Sequence, residues 1–276
     1  MKDFKTFFTL ILHSFFISIK LDKIRKCNMK NIVTEVAVDS YQSALNADLA
    51  KAKRVELCSD LVLGGLTPSV GLYNLVRKNT KLDIVVMIRP RSGDFCYSAS
   101  EIEHIIEDIK VFSSLKADAL VVGILNGDFS INLEAMKKVI KAAKNTPIVF
   151  HRAFDVVNDQ FKELENLKRL GVKRILTSGA KPNCDLGLER IKELVKVANG
   201  EITIMPGAGV NANNADKIVQ ETKATEIHFT AKSIVNTSSL DKSKEVNYSS
   251  KELNEHLKIE SEVAKITEII DKIKAA

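Results

Sequence analysis

From residue 32 onward one unit recurs. A short β-branched or apolar run is followed by polar turn residues and then by apolar residues at helical spacing. The apolar runs are IVTEVAV (32–38), RVELC (54–58), DIVVMI (83–88), DALVVG (118–123), PIVFH (147–151), RILT (174–177), ITIM (202–205) and EIHF (226–229). Helix patterns span 40–51, 68–79, 100–114, 131–144, 159–170, 186–198 and 211–221. Thr67 and Pro68 fit the cap and first residue of the second. Gly171 and Gly200 fall just past helix ends, where a left-handed residue is wanted. Strands that alternate with helices pair in parallel through crossovers. Eight such units predict an α/β chain folded as a closed (β/α)8 TIM-type barrel. An open doubly wound sheet would carry GxGxxG after its first strand; here that strand runs into AVDSYQS.

With 276 residues, the chain fits one barrel domain over 29–276 and an N-terminal extension over 1–28. The net charge of +6 belongs to the extension. Residues 1–30 hold seven Lys/Arg against two Asp/Glu, and 31–276 hold 34 against 33. A nearly neutral body has no basic stripe for a phosphate backbone, so no nucleic-acid partner is expected. The extension contains FFTLILHSFFISI (7–19), shorter than the roughly 20 apolar residues a spanning helix needs. No small-x-small cleavage site follows it. It is read as dispensable, with a membrane anchor or a secretion signal as lesser alternatives. Cys27, Cys58, Cys96 and Cys184 show neither CxxC pairing nor regular spacing. Free thiols predict a reducing, cytoplasmic setting. The polar stretch 241–260 reads as a loop or a lead-in to the last helix. Val263, Ile266, Ile269, Ile270 and Ile273 mark one face of that helix, which is expected to pack on the barrel.

Barrel active sites lie at the C-terminal ends of the strands. That is where this chain puts its polar residues: Glu35 on strand one, Glu56 and Cys58 on strand two, and Arg89, Arg91 and Asp94 after strand three. His151, Arg152 and Asp155 end strand five, and His228 lies on strand eight. Buried charges must meet each other or a ligand, so these groups are candidates for a charged, catalytic mouth. Gly207 and Gly209 after strand seven would let a ligand approach the backbone, and a helix beginning near Asn211 would aim amides at it. With Ser178 and Gly179 after strand six and Lys232 after strand eight, they form the candidate anion-binding set. Cys58, Met87, Met205, His151 and His228 lie at or near strand ends. Sulfur ligands suit Cu(I), and imidazole suits several metals.

The strings VELCSDLVLGGLTPS, VMIRPRSGDFCYS, FHRAFD, LTSGA, MPGAGV and TEIHFTAK, in that order, resemble the CutC copper homeostasis family. The resemblance runs from Met29 to Ser239. It implies a self-associating barrel, dimer or tetramer, linked to copper handling. It also implies that the charged mouth comprises the nine residues from Glu35 to His228 named above, and it makes Cys58 the first thiol to test for Cu(I). Ala208 stands where the family usually has a glycine, and Lys232 where it has arginine. Lysine keeps the charge without the two-pronged geometry. Two functions follow as expectations. One is a copper homeostasis protein with copper(I) as its ligand. The other is an enzyme on a small anionic or phosphorylated metabolite, with His151 or Glu56 as acid or base and Arg89, Arg91 and Arg152 on the anion. A scaffold that dimerises through its outer helices is a third, weaker reading.

Overall fold

A computed structural model describes residues 32–237 and 257–275. Eight strands form one parallel sheet: β1 (Val33–Val38), β2 (Arg54–Leu57), β3 (Asp83–Met87), β4 (Ala119–Val122), β5 (Ile148–Phe150), β6 (Arg174–Thr177), β7 (Thr203–Pro206) and β8 (Glu226–Phe229). The ladder runs β7-β6-β5-β4-β3-β2-β1-β8, and β7 packs against β8 to complete the ring. The helices are α1 (Tyr41–Leu49), α2 (Val70–Asn79), α3 (Ala99–Ser114), α4 (Leu133–Ala143), α5 (Gln160–Arg169), α6 (Leu188–Ala198), α7 (Ala215–Thr222) and α8 (Val263–Ala275). The expected (β/α)8 barrel is the fold observed.

The period-two alternation of each strand divides its side chains between two layers. Val36, Val38, Val55, Leu57, Ile84, Val86, Leu120, Phe150 and Ile175 join the outer core beneath the helices. Cys58, Val85, Met87, Ala119, Val121 and Val149 form a separate apolar cluster inside the ring. Glu35, Arg54, Glu56 and His228 share that inward parity and are all buried. The inside of the barrel is therefore half apolar and half ionic.

Helix starts follow local chemistry. Ser98 caps α3, and Glu101 returns a bond to its amide. The second helix starts at Val70, with Ser69 rather than Thr67 as its cap. The Thr67 hydroxyl is held elsewhere, accepting from the Arg89 amide at 3.0 Å. The seventh helix starts at Ala215 rather than near Asn211. The Asn214 side chain takes the Asn211 amide at 2.8 Å and holds the intervening residues in a turn.

The stretch 241–260, expected to be loop or helix lead-in, ends in a strand. β10 (Leu257–Ser261) pairs antiparallel with β9 (Lys232–Asn236). It is pinned to α1: the Ser261 amide donates to Ser43 Oγ at 3.0 Å, and Asn46 Nδ2 donates to the Ser261 carbonyl at 2.8 Å. α8 buries Ile266, Ile269, Ile270 and Ile273, as a last barrel helix should. The proposed extension 1–28 lies outside the described residues. Among the described residues no helix is long and apolar enough to cross a membrane.

Candidate functional site

Glu35 lies on the inward face of β1. The parallel register sets it opposite Arg54 of β2 and His228 of β8, so the ladder itself selects its partners. Arg54 Nε donates to Glu35 Oε2 at 2.5 Å, and His228 Nδ1 lies 2.8 Å from Oε1. Arg54 also reaches Glu226, which accepts from Arg174 at 2.8 Å. On the other side, His228 Nε2 lies 3.8 Å from Glu56 Oε2. The Cys58 thiol donates to that same oxygen at 3.7 Å. One line of ionisable groups thus threads the barrel from Arg174, at the start of β6, to Cys58, just past the end of β2.

The line is uneven in charge. Burial opposes ionisation of Glu35, but the His228 hydrogen bond and the Arg54 charge outweigh it and hold the carboxyl at about 2. Glu56 accepts no hydrogen bond from an arginine. Burial, only partly offset by His228, lifts its carboxyl to about 7. His228 is raised: burial works against its charge, and the Glu56 and Glu35 carboxylates overcome that. Burial first, then Glu56, pushes the Cys58 thiol well above its ordinary range. Glu56 Oε1 is buried without a hydrogen-bond partner among the described residues.

This end of the line is where donor atoms for a metal gather. Among the described residues, Glu35, Glu56 and His228 each offer an atom within 4.8 Å of the others. Two carboxylates and an imidazole suit a borderline cation; the adjacent thiol of Cys58 adds the soft donor that Cu(I) favours. Cys58 stands outside that three-residue cluster, yet its thiol and the His228 imidazole, the donor types copper takes, both face Glu56.

Arg89 and His151 lie at the mouth, past the ends of β3 and β5. Arg89 Nη1 donates to the carbonyls of Leu63 at 2.9 Å and Gly65 at 3.3 Å, and Nη2 to Gly93 at 2.9 Å. His151 Nδ1 accepts the Ala153 amide at 3.1 Å. Both groups pack on the Phe95 ring, at 5.2 and 4.8 Å from its centroid. Gly123 makes room for the imidazole, since a Cβ there would sit 2.5 Å from His151 Cε1. Burial, aided by the Arg89 charge, lowers His151 to about 3, which leaves it a poor acid–base group near neutrality.

The other expected residues are placed differently. Arg91 is tied to Glu101 at 2.5 Å and Asp94 at 3.0 Å, over the Tyr97 ring. That network braces the loop after β3. Arg152 pairs with Asp155 at 2.7 Å. Asp155 in turn accepts from Thr177 Oγ1 at 2.5 Å and from the Ser178 and Ala180 amides at 3.0 and 3.2 Å. The Gly179 amide donates to Thr177 Oγ1 at 2.9 Å. The Ser178–Gly179 turn, expected to offer its amides to an anion, is satisfied by the chain's own carboxylate and hydroxyl. Gly207 serves packing: a Cβ there would lie 2.6 Å from Leu176 Cδ1. Gly209 and Lys232, with Lys265, line a cleft of about 670 Å³ between the loops after β7 and β8 and helix α8.

Arg54 and Arg174 are functional neighbours that the sequence reading passed over. Each opens its strand, and attention to strand C-termini hides that end. The available signal was parity: Arg54 lies two residues before Glu56 on an otherwise apolar strand, so both face inward.

Comparison with known proteins agrees with the motifs. The CutC family model matches residues 32–233. A CutC family protein of Treponema denticola is 45% identical over 203 residues, 74% of this chain and 82% of its own length. The human copper homeostasis protein cutC homolog is 44% identical over 199 residues, 72% of this chain and 73% of its own. The solved structure of CutC from Streptococcus agalactiae superposes with a TM-score of 0.69 at 39% identity, covering 72% of this chain and 98% of that one. The family model, the relatives and the superposed structure converge on one conclusion: this chain belongs to the CutC family.

Proposed function

We propose that the chain acts in copper homeostasis by holding one copper ion, as Cu(I), beside Glu56. One observation carries this reading: Glu56 Oε2 faces both the Cys58 thiol and His228 Nε2, while Oε1 is buried with no partner. Oε2 lies 3.7 Å from the thiol and 3.8 Å from the imidazole, and sulfur and imidazole are donors that copper accepts. Glu35 holds His228 by its other nitrogen and so fixes the ring for coordination, as carboxylates behind metal-bound histidines do. Cys58 and Glu56 both hold protons more tightly than usual, and a metal displaces them. The relatives named for copper homeostasis support the cellular role. Anaerobic Cu(I) titration against a competing chelator tests it. Wild type should take one equivalent, and Cys58→Ser and Glu56→Gln should each weaken it roughly tenfold or more. Equal binding by all three removes the reading. Self-association as a dimer or tetramer, carried over from the family, is tested by sedimentation.

A second reading is favoured by the geometry of the same residues. Glu35 orients His228, and His228 faces a carboxyl whose proton leaves near neutrality. An imidazole held by one carboxylate and facing a second that titrates near neutrality is an arrangement for moving a proton on a small metabolite. A thermal-shift screen of anionic metabolites, followed by turnover assays with Glu56→Gln, tests it. A hit whose conversion survives Glu56→Gln sinks it.

A further inference from the structure

Among the described residues, two buried donors that pack on Phe95 at the barrel mouth have no hydrogen-bond acceptor, Nε of Arg89 and Nε2 of His151, and the buried Tyr97 hydroxyl, which feels the Arg89 charge, is unpaired as well. The state of the His151 ring follows from its surroundings. Nδ1 accepts the Ala153 amide, so its lone pair is engaged and the single proton of the neutral ring is on Nε2. Burial, with the Arg89 charge beside it, holds the ring neutral. That proton is on a ring packed against Phe95, with the Gly123 backbone close to its Cε1–Nδ1 edge. Arg89 is fixed as firmly by three carbonyls, yet it pairs with no carboxylate among the described residues. Arg91 and Arg152, by contrast, are both neutralised by nearby acids.

A buried cation without a counter-charge and a buried donor without an acceptor, both against one aromatic ring, are costly unless something completes them. We infer that Arg89 Nε and His151 Nε2 form a subsite for one oxyanion, a carboxylate or a phosphate, of a small ligand seated beside Phe95. This makes His151 a hydrogen-bond donor rather than a base or a metal ligand. The inference deepens the metabolite reading above by naming the ligand's charged group, and it stands apart from the copper site around Glu56.

The test uses the full chain labelled with 15N-histidine at pH 7. The His151 resonances should report the Nε2–H tautomer. Inorganic phosphate and acetate, titrated separately at millimolar levels, distinguish the two oxyanions: one of them should move the Nε2 signal. His151→Gln, which keeps an N–H donor, should retain binding. His151→Phe should weaken it roughly tenfold, equivalent to about 1.4 kcal/mol. An Nδ1–H tautomer or an imidazolium at pH 7 would overturn the proposal. So would a signal that neither anion moves, or a His151→Phe chain that binds as wild type does. A metabolite that turns over without disturbing His151 refutes the subsite alone. An anion that binds here in a chain that turns over nothing supports the subsite and leaves the metabolite reading to fail separately.

Discussion

Glu56→Gln should make the protein more stable at alkaline pH. The side chain is buried, and burial is the largest influence on it, lifting its carboxyl from 4.5 to about 7. At about 1.4 kcal/mol per tenfold change in proton affinity, that rise corresponds to about 3 kcal/mol. The folded state grips this proton more tightly than the unfolded chain does. Its contribution to stability is therefore full below pH 4.5 and is lost as the pH climbs to 7. Above pH 7 the wild type carries a buried carboxylate with one oxygen unpartnered; glutamine of the same shape does not. Urea unfolding at pH 5 and pH 8 checks this. The variant should lead by no more than about 1 kcal/mol at pH 5 and by up to about 3 kcal/mol at pH 8. A variant less stable than wild type at pH 8 would mean that the carboxylate is well paired and that the site is not poised for a ligand.

Glu35→Gln should go the other way, costing about 3–5 kcal/mol at neutral pH because Arg54 and His228 lose the acid between them. Glu35 is lowered from 4.5 to about 2, so its contribution is present above pH 4.5 and fades as the pH falls toward 2. The gap between the two chains in urea unfolding should narrow over that interval. Gly123→Ala should cost about 1–3 kcal/mol by driving a methyl into the His151 ring, and the His151 NMR signals should shift with it. Asp155→Asn should cost about 1–3 kcal/mol and speed hydrogen exchange at the Ser178 and Ala180 amides, with the core strands unaffected.

The barrel was legible in the sequence because eight apolar runs alternate with helix patterns, and the first strand also writes its two faces as alternating residues. Val36 and Val38 go out to the helices; Glu35 and Ala37 go in. The candidate site was legible in part for the same reason. Glu35, Glu56, Cys58 and His228 share inward parity, and their adjacency follows once the register is known. Arg54 and Arg174 escaped because they enter the site from the opposite end of the strands. The Ser178–Gly179 turn shows why a glycine motif is weak evidence. The residues advertise free amides, but the group that engages Ser178 is Asp155, 23 positions away. The β9–β10 ribbon was equally hidden: Ile234 meets Ile259 across a long excursion of chain, and nothing local announces the pairing. Arg91 and Arg152 looked like anion clamps until their own acids were placed beside them.

Cys58 and His228 are proposed to meet a ligand at Glu56. Copper X-ray absorption on the Cu(I)-loaded full chain tests this most directly, in a Cys27→Ser, Cys96→Ser background that leaves Cys58 and Cys184 as the remaining thiols. The copper should show one sulfur with nitrogen and oxygen neighbours, and the sulfur scatterer should be lost in Cys58→Ser. A copper environment unchanged by Cys58→Ser and by His228→Ala, or no stoichiometric copper at all, would contradict it.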